Sequence, residues 1–193
     1  MDSDHDPQIG EAAVLIERLA RLMRASEHES GLNPAQWEVL RYLARCNRFS
    51  NTPTALATYL AATKGTISQT LKALEHKGLI KKGRRDGERR SVALALCDRA
   101  WDYLERDPWW RLANHEGALS GQTRQGLRIG LRHFVLCEIA HRKMGAFGIC
   151  ASCRHFERNG ASDSDGDGGP HHCARFGAPL ADADAERICH AHA

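Results

Sequence analysis

No apolar run in this 193-residue chain approaches the ~20 residues that a membrane-crossing helix needs. The opening stretch, MDSDHDPQIG, is acidic and polar. It lacks the basic start and apolar centre of a secretory signal, and the arginine-rich amphipathy of a transit peptide. The cytoplasm is therefore the expected location. A glycine-rich phosphate loop and a nucleophile–base pair are also missing, which leaves no basis for a hydrolase or transferase. There are no internal repeats. The run DSDGDG from Asp163 to Gly168 starts like a calcium loop, but its twelfth position is Ala174 rather than a bidentate glutamate, which argues against an EF-hand. Net charge is weak as well, at +3.

What is present is unevenly placed. The length suffices for one domain with a sizeable core plus an appendage. Hydrophobic residues make up 42% and charged residues 26%, as in ordinary globular proteins. From Lys64 to Arg90 there are nine Lys/Arg against three acids, whereas from Ala146 to Ala193 there are four Arg against seven acids. A basic middle and an acidic end imply two different tasks. Four of the seven cysteines and five of the eleven histidines lie between Gly148 and Ala193. In a reducing compartment such clustered thiols point to metal binding or reactivity rather than disulfides.

Apolar periodicity predicts a series of helices. EAAVLIERLARLMRASEHES carries Leu15, Leu19 and Leu22 on one stripe, with Gly31 beyond it as a stop. NPAQWEVLRYLARC has Asn33 as cap, Pro34 at the first helical position, and a stripe of Trp37, Leu40 and Leu43. A shorter helix follows Thr52 and Pro53. TKGTISQTLKALEHKG is capped by Thr63, buries Ile67, Leu71 and Leu74, and meets Gly78 at its C-terminus. The period then changes to that of a strand in RRSVALAL, where Val92, Leu94 and Leu96 alternate. With LIKKGRR before it and the turn dipeptide Asp86-Gly87 between, Leu79–Leu96 reads as a two-stranded hairpin with an arginine-rich tip. A helix capped by Asp98 comes next and is bent or interrupted at Pro108. The last helix bears Leu127, Leu131, Phe134 and Ile139.

Helices followed by a basic hairpin spell a winged helix-turn-helix. A recognition helix must bury one face and offer the other to the major groove. Opposite Ile67, Leu71 and Leu74 lie Lys64, Thr66, Ser68, Gln69 and Lys72, which suit base edges and phosphates. Gly65 permits close backbone approach, and the helix start at Thr63 favours a phosphate. The tip RRDGERR is charged enough to reach the DNA backbone or a minor groove, with Asp86 steadying an arginine of its own loop.

Residues 10 to 143 resemble the MarR family of bacterial transcriptional regulators. The marks are the ALA..L helix, the TKGTIS helix start, the LE-x-KGLI exit and the wing DGERR. The resemblance implies a homodimer whose first and last helices interlock and whose winged domains straddle a pseudo-palindromic operator. It implies that Thr66, Ser68, Gln69 and Lys72 enter the major groove and that Arg84, Arg85, Asp86, Arg89 and Arg90 form the wing. The terminal leucine stripes support a dimer independently, because one small winged domain cannot fully cover them; the alternative is an internal two-helix core. There are departures: Cys97 stands where the family has threonine after the wing, the sequence DPWW is unusual, and no residue names an effector.

The tail places Cys150, Cys153, Cys173 and Cys189 in the pattern C-x2-C, nineteen residues, C, fifteen residues, C. Two thiolates two residues apart can grip a metal from a tight turn while distant ones close the tetrahedron. Zinc and a 4Fe–4S cluster stand near parity. Zinc is the usual ion for four thiolates, but zinc ribbons pair two close C-x-x-C knuckles. The dispersed second pair resembles the spacing of high-potential iron–sulfur proteins and tilts slightly toward a cluster, with Phe156, Phe176 and Ile188 as its apolar wall. His171, His172, His190 and His192 flank these cysteines, so one of them could replace a thiolate; most are expected to be exposed. His133 and His141 read as surface residues of a helix. Cys46, Cys97 and Cys137 read as small core residues.

The expected chain is thus mainly α with a small β-hairpin wing. Residues 1–9 form a flexible start, 10–143 a winged-helix dimer domain, and 144–193 a Cys/His-rich module with a flexible linker at 159–170. The DNA-binding core spans 33–97, between dimerisation helices at about 10–30 and 120–143. Its expected partners are double-stranded DNA and a second copy of itself, in a non-enzymatic regulator whose metal or iron–sulfur module is expected to sense redox, oxygen or metal state. A rival reading is a redox or electron-transfer subunit that uses the winged helix to bind another protein; the arginine-rich wing argues against it.

Overall fold

The computed structural model describes residues 10–25, 31–85, 88–145, 147–160 and 169–193, and the side chains of all of these except 85 and 88–91. Nine elements make up the first part: α1 (Glu11–Ala25), α2 (Pro34–Arg45), α3 (Pro53–Tyr59), α4 (Lys64–His76), β1 (Ile80–Arg85), β2 (Glu88–Leu96), α5 (Asp98–Glu105), α6 (Pro108–Gly117) and α7 (Gly121–His141). The remainder is a small β-rich module: β3 (Gly148–Ile149), a 3₁₀ turn at Cys150–Ser152, β4 (Phe156–Glu157), β5 (His171–Cys173), β6 (Ala178–Leu180), α8 (Asp182–Ala185) and β7 (Ile188–Cys189). No helix among the described residues is long and apolar enough to cross a membrane.

Local chemistry sets the helix ends. Asn33 forms a reciprocal capping box with Gln36 ahead of Pro34, and Thr52 accepts from the Ala55 amide ahead of Pro53. Thr63 accepts from the Thr66 amide at 3.1 Å to open α4. At the other end Gly78 takes φ +68°, the left-handed conformation that favours glycine. The Leu79 amide then reaches back to the Leu74 carbonyl at 3.0 Å, which satisfies the last turn and turns the chain into β1. Asp98 is not a cap, contrary to expectation. Cys97 holds that position, with no side-chain bond, and its amide is tied instead to the Leu79 carbonyl at 2.9 Å.

Trp37, Leu40 and Tyr42 of α2, Leu56 of α3, and Ile67, Leu71 and Leu74 of α4 pack with Leu79, Ile80, Leu94 and Leu104 into one core. β1 and β2 pair antiparallel from Ile80↔Leu96 to Arg84↔Val92, then the register shifts at Arg84/Arg85. Leu94 is buried, but Val92 is 40% exposed. The alternation that predicted one apolar strand face thus fails near the tip, where the hairpin has run past the core. Asp86 and Gly87 lie outside the described residues.

The DPWW segment marks a helix start. Asp107 caps α6 through the Trp109 amide at 3.0 Å and is 1% exposed. Its carboxylate takes two bonds from Arg41, Nε at 2.6 Å and Nη2 at 2.7 Å. The guanidinium lies between the rings of Trp37 and Trp109, 5.3 and 5.5 Å from their centroids. This cluster fixes the α5–α6 corner on α2. By contrast α1 and α7 bury no side chain among the described residues. Their apolar residues stand open, among them Leu15 (59% exposed), Leu22 (50%), Phe134 (49%) and Val135 (57%).

The module contains a β3–β7 pair and a β4–β5–β6 sheet, both antiparallel. Of the expected linker at 159–170, Asn159 and Gly160 close a turn after β4, Gly169 and Pro170 lead into β5, and 161–168 lie outside the described residues. Although the module follows α7 in sequence, it packs on the turn between α2 and α3. A parallel bridge joins Cys46 to Ile188, and Phe49 stacks on Phe176 with centroids 4.2 Å apart.

Candidate nucleic-acid interface and thiol cluster

Helix α4 presents the two faces expected of a reading helix. Ile67, Leu71 and Leu74 are buried, and Lys64, Thr66, Ser68, Gln69 and Lys72 are all exposed. Thr63 is exposed too, but its hydroxyl is engaged as the cap and lies 2.9 Å from the Thr66 hydroxyl. The helix is braced from both sides. Lys82 of β1 pairs with Glu75 at 2.6 Å, and Lys77 donates to the Gly31 carbonyl at 2.8 Å and to Gln36 at 3.0 Å. Two of the basic residues counted from the sequence are thereby structural. Lys64, Lys72, Lys81 and Arg84 are exposed. For the predicted wing, the side chains of Arg85, Arg89 and Arg90, and all of Asp86, lie outside the described residues.

Of the four tail cysteines, two lie at the 3₁₀ turn and two end strands of the small sheets. Cys150 opens the 3₁₀ turn and Cys153 closes it, its amide bonded to the Cys150 carbonyl at 2.9 Å. Cys189 pairs with Gly148 across β3–β7, and Cys173 ends β5 opposite Phe156. Cys150 and Cys189 are both buried, and their mutual hydrogen bonding draws the Cys189 thiol below the ordinary thiol range and holds Cys150 above it, burial adding to the rise. The charge of Cys173 also acts on Cys150. Among the described residues, no three His, Cys, Asp or Glu side chains converge closely enough to hold a metal ion.

The histidines near these sulfurs have other engagements. His171, one of four flanking histidines of which most were expected to be exposed, is 4% exposed; it accepts from the Asn159 amide through Nδ1 at 3.1 Å and meets Asp182 through Nε2 at 3.1 Å. His172 meets Glu157 at 2.9 Å, and His192 meets the Ser152 hydroxyl at 3.0 Å. His190 Nδ1 lies 3.1 Å from the Ser50 hydroxyl. His133 and His141 are exposed on α7, as expected. The proposed apolar wall is only partly formed, because Phe176 faces Phe49 and Ile188 joins the winged-domain core, leaving Phe156 against His171.

Of the other cysteines, Cys46 is a core residue whose thiol burial pushes up to about 11. Cys97 is half-buried. Cys137 is exposed, with its sulfur 3.6 Å from His133 Nε2, so the core reading fails there: helical periodicity alone did not show which side of α7 is covered.

Sequence reasoning missed Asn47 and Ser50. Asn47 is 1% exposed and donates through Nδ2 to Cys150 Sγ at 3.4 Å. Its Oδ1 accepts from the Ser50 hydroxyl at 2.7 Å and the Phe49 amide at 3.1 Å. Ser50 Oγ in turn accepts from the His190 amide at 2.9 Å. One hydroxyl has one proton, which goes to Asn47, so His190 Nδ1 must carry the proton in its contact with Ser50. In the sequence these residues form a polar loop, CNRFSN, with nothing to separate it from an ordinary turn.

A cleft of about 710 Å³ opens between α7, the end of α3 and the module. Tyr59, Leu131, Val135, Phe147 and Ile188 line it, with Arg132 and His192 at its polar edge.

This geometry defines a winged helix-turn-helix with an added cysteine-bearing module. Residues 30–91 match the model of the MarR family. Three solved structures share the fold. Transcriptional regulator PA3341 is 24% identical with a TM-score of 0.52, over 67% of this chain and 98% of that one. A MarR transcriptional regulator from Methanosarcina mazei Go1 is 18% identical with a TM-score of 0.51, over 70% and 97%. MepR of S. aureus, in a complex with DNA, is 18% identical with a TM-score of 0.50, over 67% and 99%. No curated protein sequence matches the chain.

Proposed function

We propose that this chain is a DNA-binding transcription regulator of the MarR type, acting in the cytoplasm as a homodimer on a pseudo-palindromic site. The observation that carries the reading is α4: a buried apolar face locks it to the core, and Lys64, Thr66, Ser68, Gln69 and Lys72 stand exposed on the other side. Thr66, Ser68, Gln69 and Lys72 read the major groove, while Thr63 and Lys64 place the helix start on a phosphate. Arg84, Arg85, Arg89 and Arg90 carry the wing to the flanking backbone, with Asp86 ordering the tip. The family match over 30–91 and the DNA bound by MepR support this assignment. The bare apolar stripes of α1 and α7 support dimerisation, because an exposed face of that extent is covered in a stable soluble assembly.

The same reading assigns Cys150, Cys153, Cys173 and Cys189 as ligands of a metal, zinc or a 4Fe–4S cluster. The donors are soft thiols at the spacing of a ligand set, and the nearby histidines are engaged elsewhere. A bound metal supplies fixed positive charge that keeps four thiolates together. Gel shifts with genomic fragments test the DNA assignment: binding is expected for the full chain and is expected to weaken in the double variant Arg89→Ala, Arg90→Ala. Unchanged binding in that variant removes the wing from the interface. Metal analysis and a visible spectrum of protein purified without air test the module.

A further inference from the structure

Two parts of the chain build the cleft beside α7. The helix supplies Leu131, Val135 and Ile139, and the module supplies Phe147, Ile149 and Ile188. A sharp end to α7 sets them against each other. Lys143 takes φ +52°, its amide donates to the Ala140 carbonyl at 3.1 Å, and the Met144 amide donates to the Ile139 carbonyl at 3.0 Å. This paired closure stops the helix and turns the chain into the module. The module side is anchored, because Phe147 and Ile188 pack on the winged-domain core and Tyr59 meets the Phe147 ring edge-on with centroids 5.1 Å apart. At the polar edge Arg132 Nη2 donates to the Ser152 hydroxyl at 3.0 Å, which ties α7 to the module directly. Gly148 lets His192 close that edge, since a Cβ at this position would lie 2.4 Å from the imidazole.

The chain carries a helix that matches this cleft. Leu15, Ile16, Leu19 and Leu22 of α1 are 36–59% exposed, and no residue of α1 lines the cleft of its own chain. At 3.6 residues per turn, the arc from Leu22 through Leu15 and Leu19 to Ile16 covers about a third of the helix, and Ala13 and Ala20 widen it to about half. Glu17, Arg21 and Arg24 fall on the opposite side. So broad an apolar face exceeds the narrow seam of two paired helices and suits a cleft with two sides. The size agrees as well: 710 Å³ is the volume of about one to two turns of a helix 10–12 Å across. Helix α7 is itself apolar in more than one direction, with Ile129 62% and Leu136 49% exposed, the pattern of a helix with more than one neighbour. Its bare stripe Leu127–Leu131–Phe134 enters the cleft at Leu131, so the cleft continues the face assigned above to dimerisation. One two-fold operation covers both bare surfaces, because each α1 enters the cleft of the other copy.

We propose that the tail module is a dimerisation element, and that the cleft it forms with α7 seats α1 of a second copy of this chain. The proposal rests on the homodimer assignment made above and extends it: the incoming helix packs on Phe147, Ile149 and Ile188 of the module as well as on α7. Ile188 is bridged to Cys46 at the end of α2, so the seat is fixed to the winged domain that carries it. A partner held there takes its position relative to that domain from the module. The separation of the two α4 helices, which must match the spacing of the half-sites, then depends on the tail.

The test uses the full chain with the photoreactive residue p-benzoylphenylalanine in place of Ile149. Irradiation is expected to give a covalent dimer on a denaturing gel, and peptide mapping by mass spectrometry is expected to place the attachment within 11–25. Attachment to 11–25 inside a single chain, attachment to another segment, or no covalent dimer from protein that sediments as a dimer overturns the seat. Sedimentation of variants gives a second measurement. Ile149→Ala shortens the module side of the cleft and Leu19→Ala shortens α1, with circular dichroism to confirm that each is folded. Each is expected to weaken dimerisation about tenfold or more, because both copies lose the contact. The double variant is expected to lose less than the product of the two effects, as side chains in contact do. Unchanged dimer affinity in Ile149→Ala, while Leu131→Glu with Val135→Glu gives a monomer, keeps the homodimer and removes the module from its interface. A wild-type chain that stays monomeric at every concentration removes the homodimer assignment and the seat with it.

Discussion

Replacing Asp107 by alanine removes the carboxylate that holds Arg41 between two indole rings. Both bonds are short, 2.6 and 2.7 Å, and the side chains are 11% and 1% exposed for Arg41 and Asp107. The guanidinium would lose the carboxylate that binds it through two hydrogen bonds, a change that costs about 3–5 kcal/mol where one partner of a buried pair is lost. The cap of α6 disappears at the same time, worth about 1 kcal/mol, although the two losses share one residue and do not add in full. Against a total stability of about 5–15 kcal/mol this is a large fraction. Asp107→Asn keeps a capping oxygen and loses the charge, so it is expected to fall between wild type and Asp107→Ala. Urea unfolding followed by tryptophan fluorescence is a direct assay, because Trp37 and Trp109 flank the guanidinium. Protein concentration must be held constant, since dimer stability depends on it. A loss below about 1 kcal/mol in Asp107→Ala would refute the reasoning, because it would mean that the pair behaves as an exposed one.

Three further outcomes are expected. Leu131→Glu with Val135→Glu places two charges on the bare stripe of α7 and is expected to give a folded monomer by analytical ultracentrifugation; a persisting dimer would move the interface elsewhere. Native-state maleimide labelling is expected to modify Cys137, which is exposed, and to spare Cys46, which is buried and whose thiol, raised to about 11, remains protonated at neutral pH; peptide mapping distinguishes them. Gln69→Ala is expected to relax sequence preference at one base pair, worth about 1–3 kcal/mol of discrimination, with little change in non-specific affinity when measured on a mutated-site panel.

The winged domain was legible because its signals are local. Asn33-Pro34, Thr52-Pro53 and Thr63 each state a helix start, Gly78 states a stop, and the leucine spacing states which face is buried. The division of α4 into Ile67, Leu71 and Leu74 on one side and Lys64, Gln69 and Lys72 on the other follows from the same spacing. The cysteine spacing identified the thiols but not their surroundings. Asn47 and Cys150 are 103 residues apart, and nothing local connects them. His171 illustrates the limit: a histidine beside a cysteine looks like a ligand or a surface residue, yet it is buried between Asn159 and Asp182. DPWW looked like a disruption because its purpose is a pairing with Arg41, 66 positions away. Cys137 was misplaced because α7 buries no side chain among the described residues.

The central claim is that the exposed face of α4 binds DNA. The most direct test is anisotropy of a labelled duplex, selected from a randomised library by the full chain, measured across a series of salt concentrations. The account predicts salt-sensitive binding, and Lys72→Ala is expected to weaken it on all sequences and to reduce the slope of log affinity against log salt by about 1. Failure to select any sequence, or equal affinity and slope for wild type and the double variant Gln69→Ala, Lys72→Ala, would contradict it.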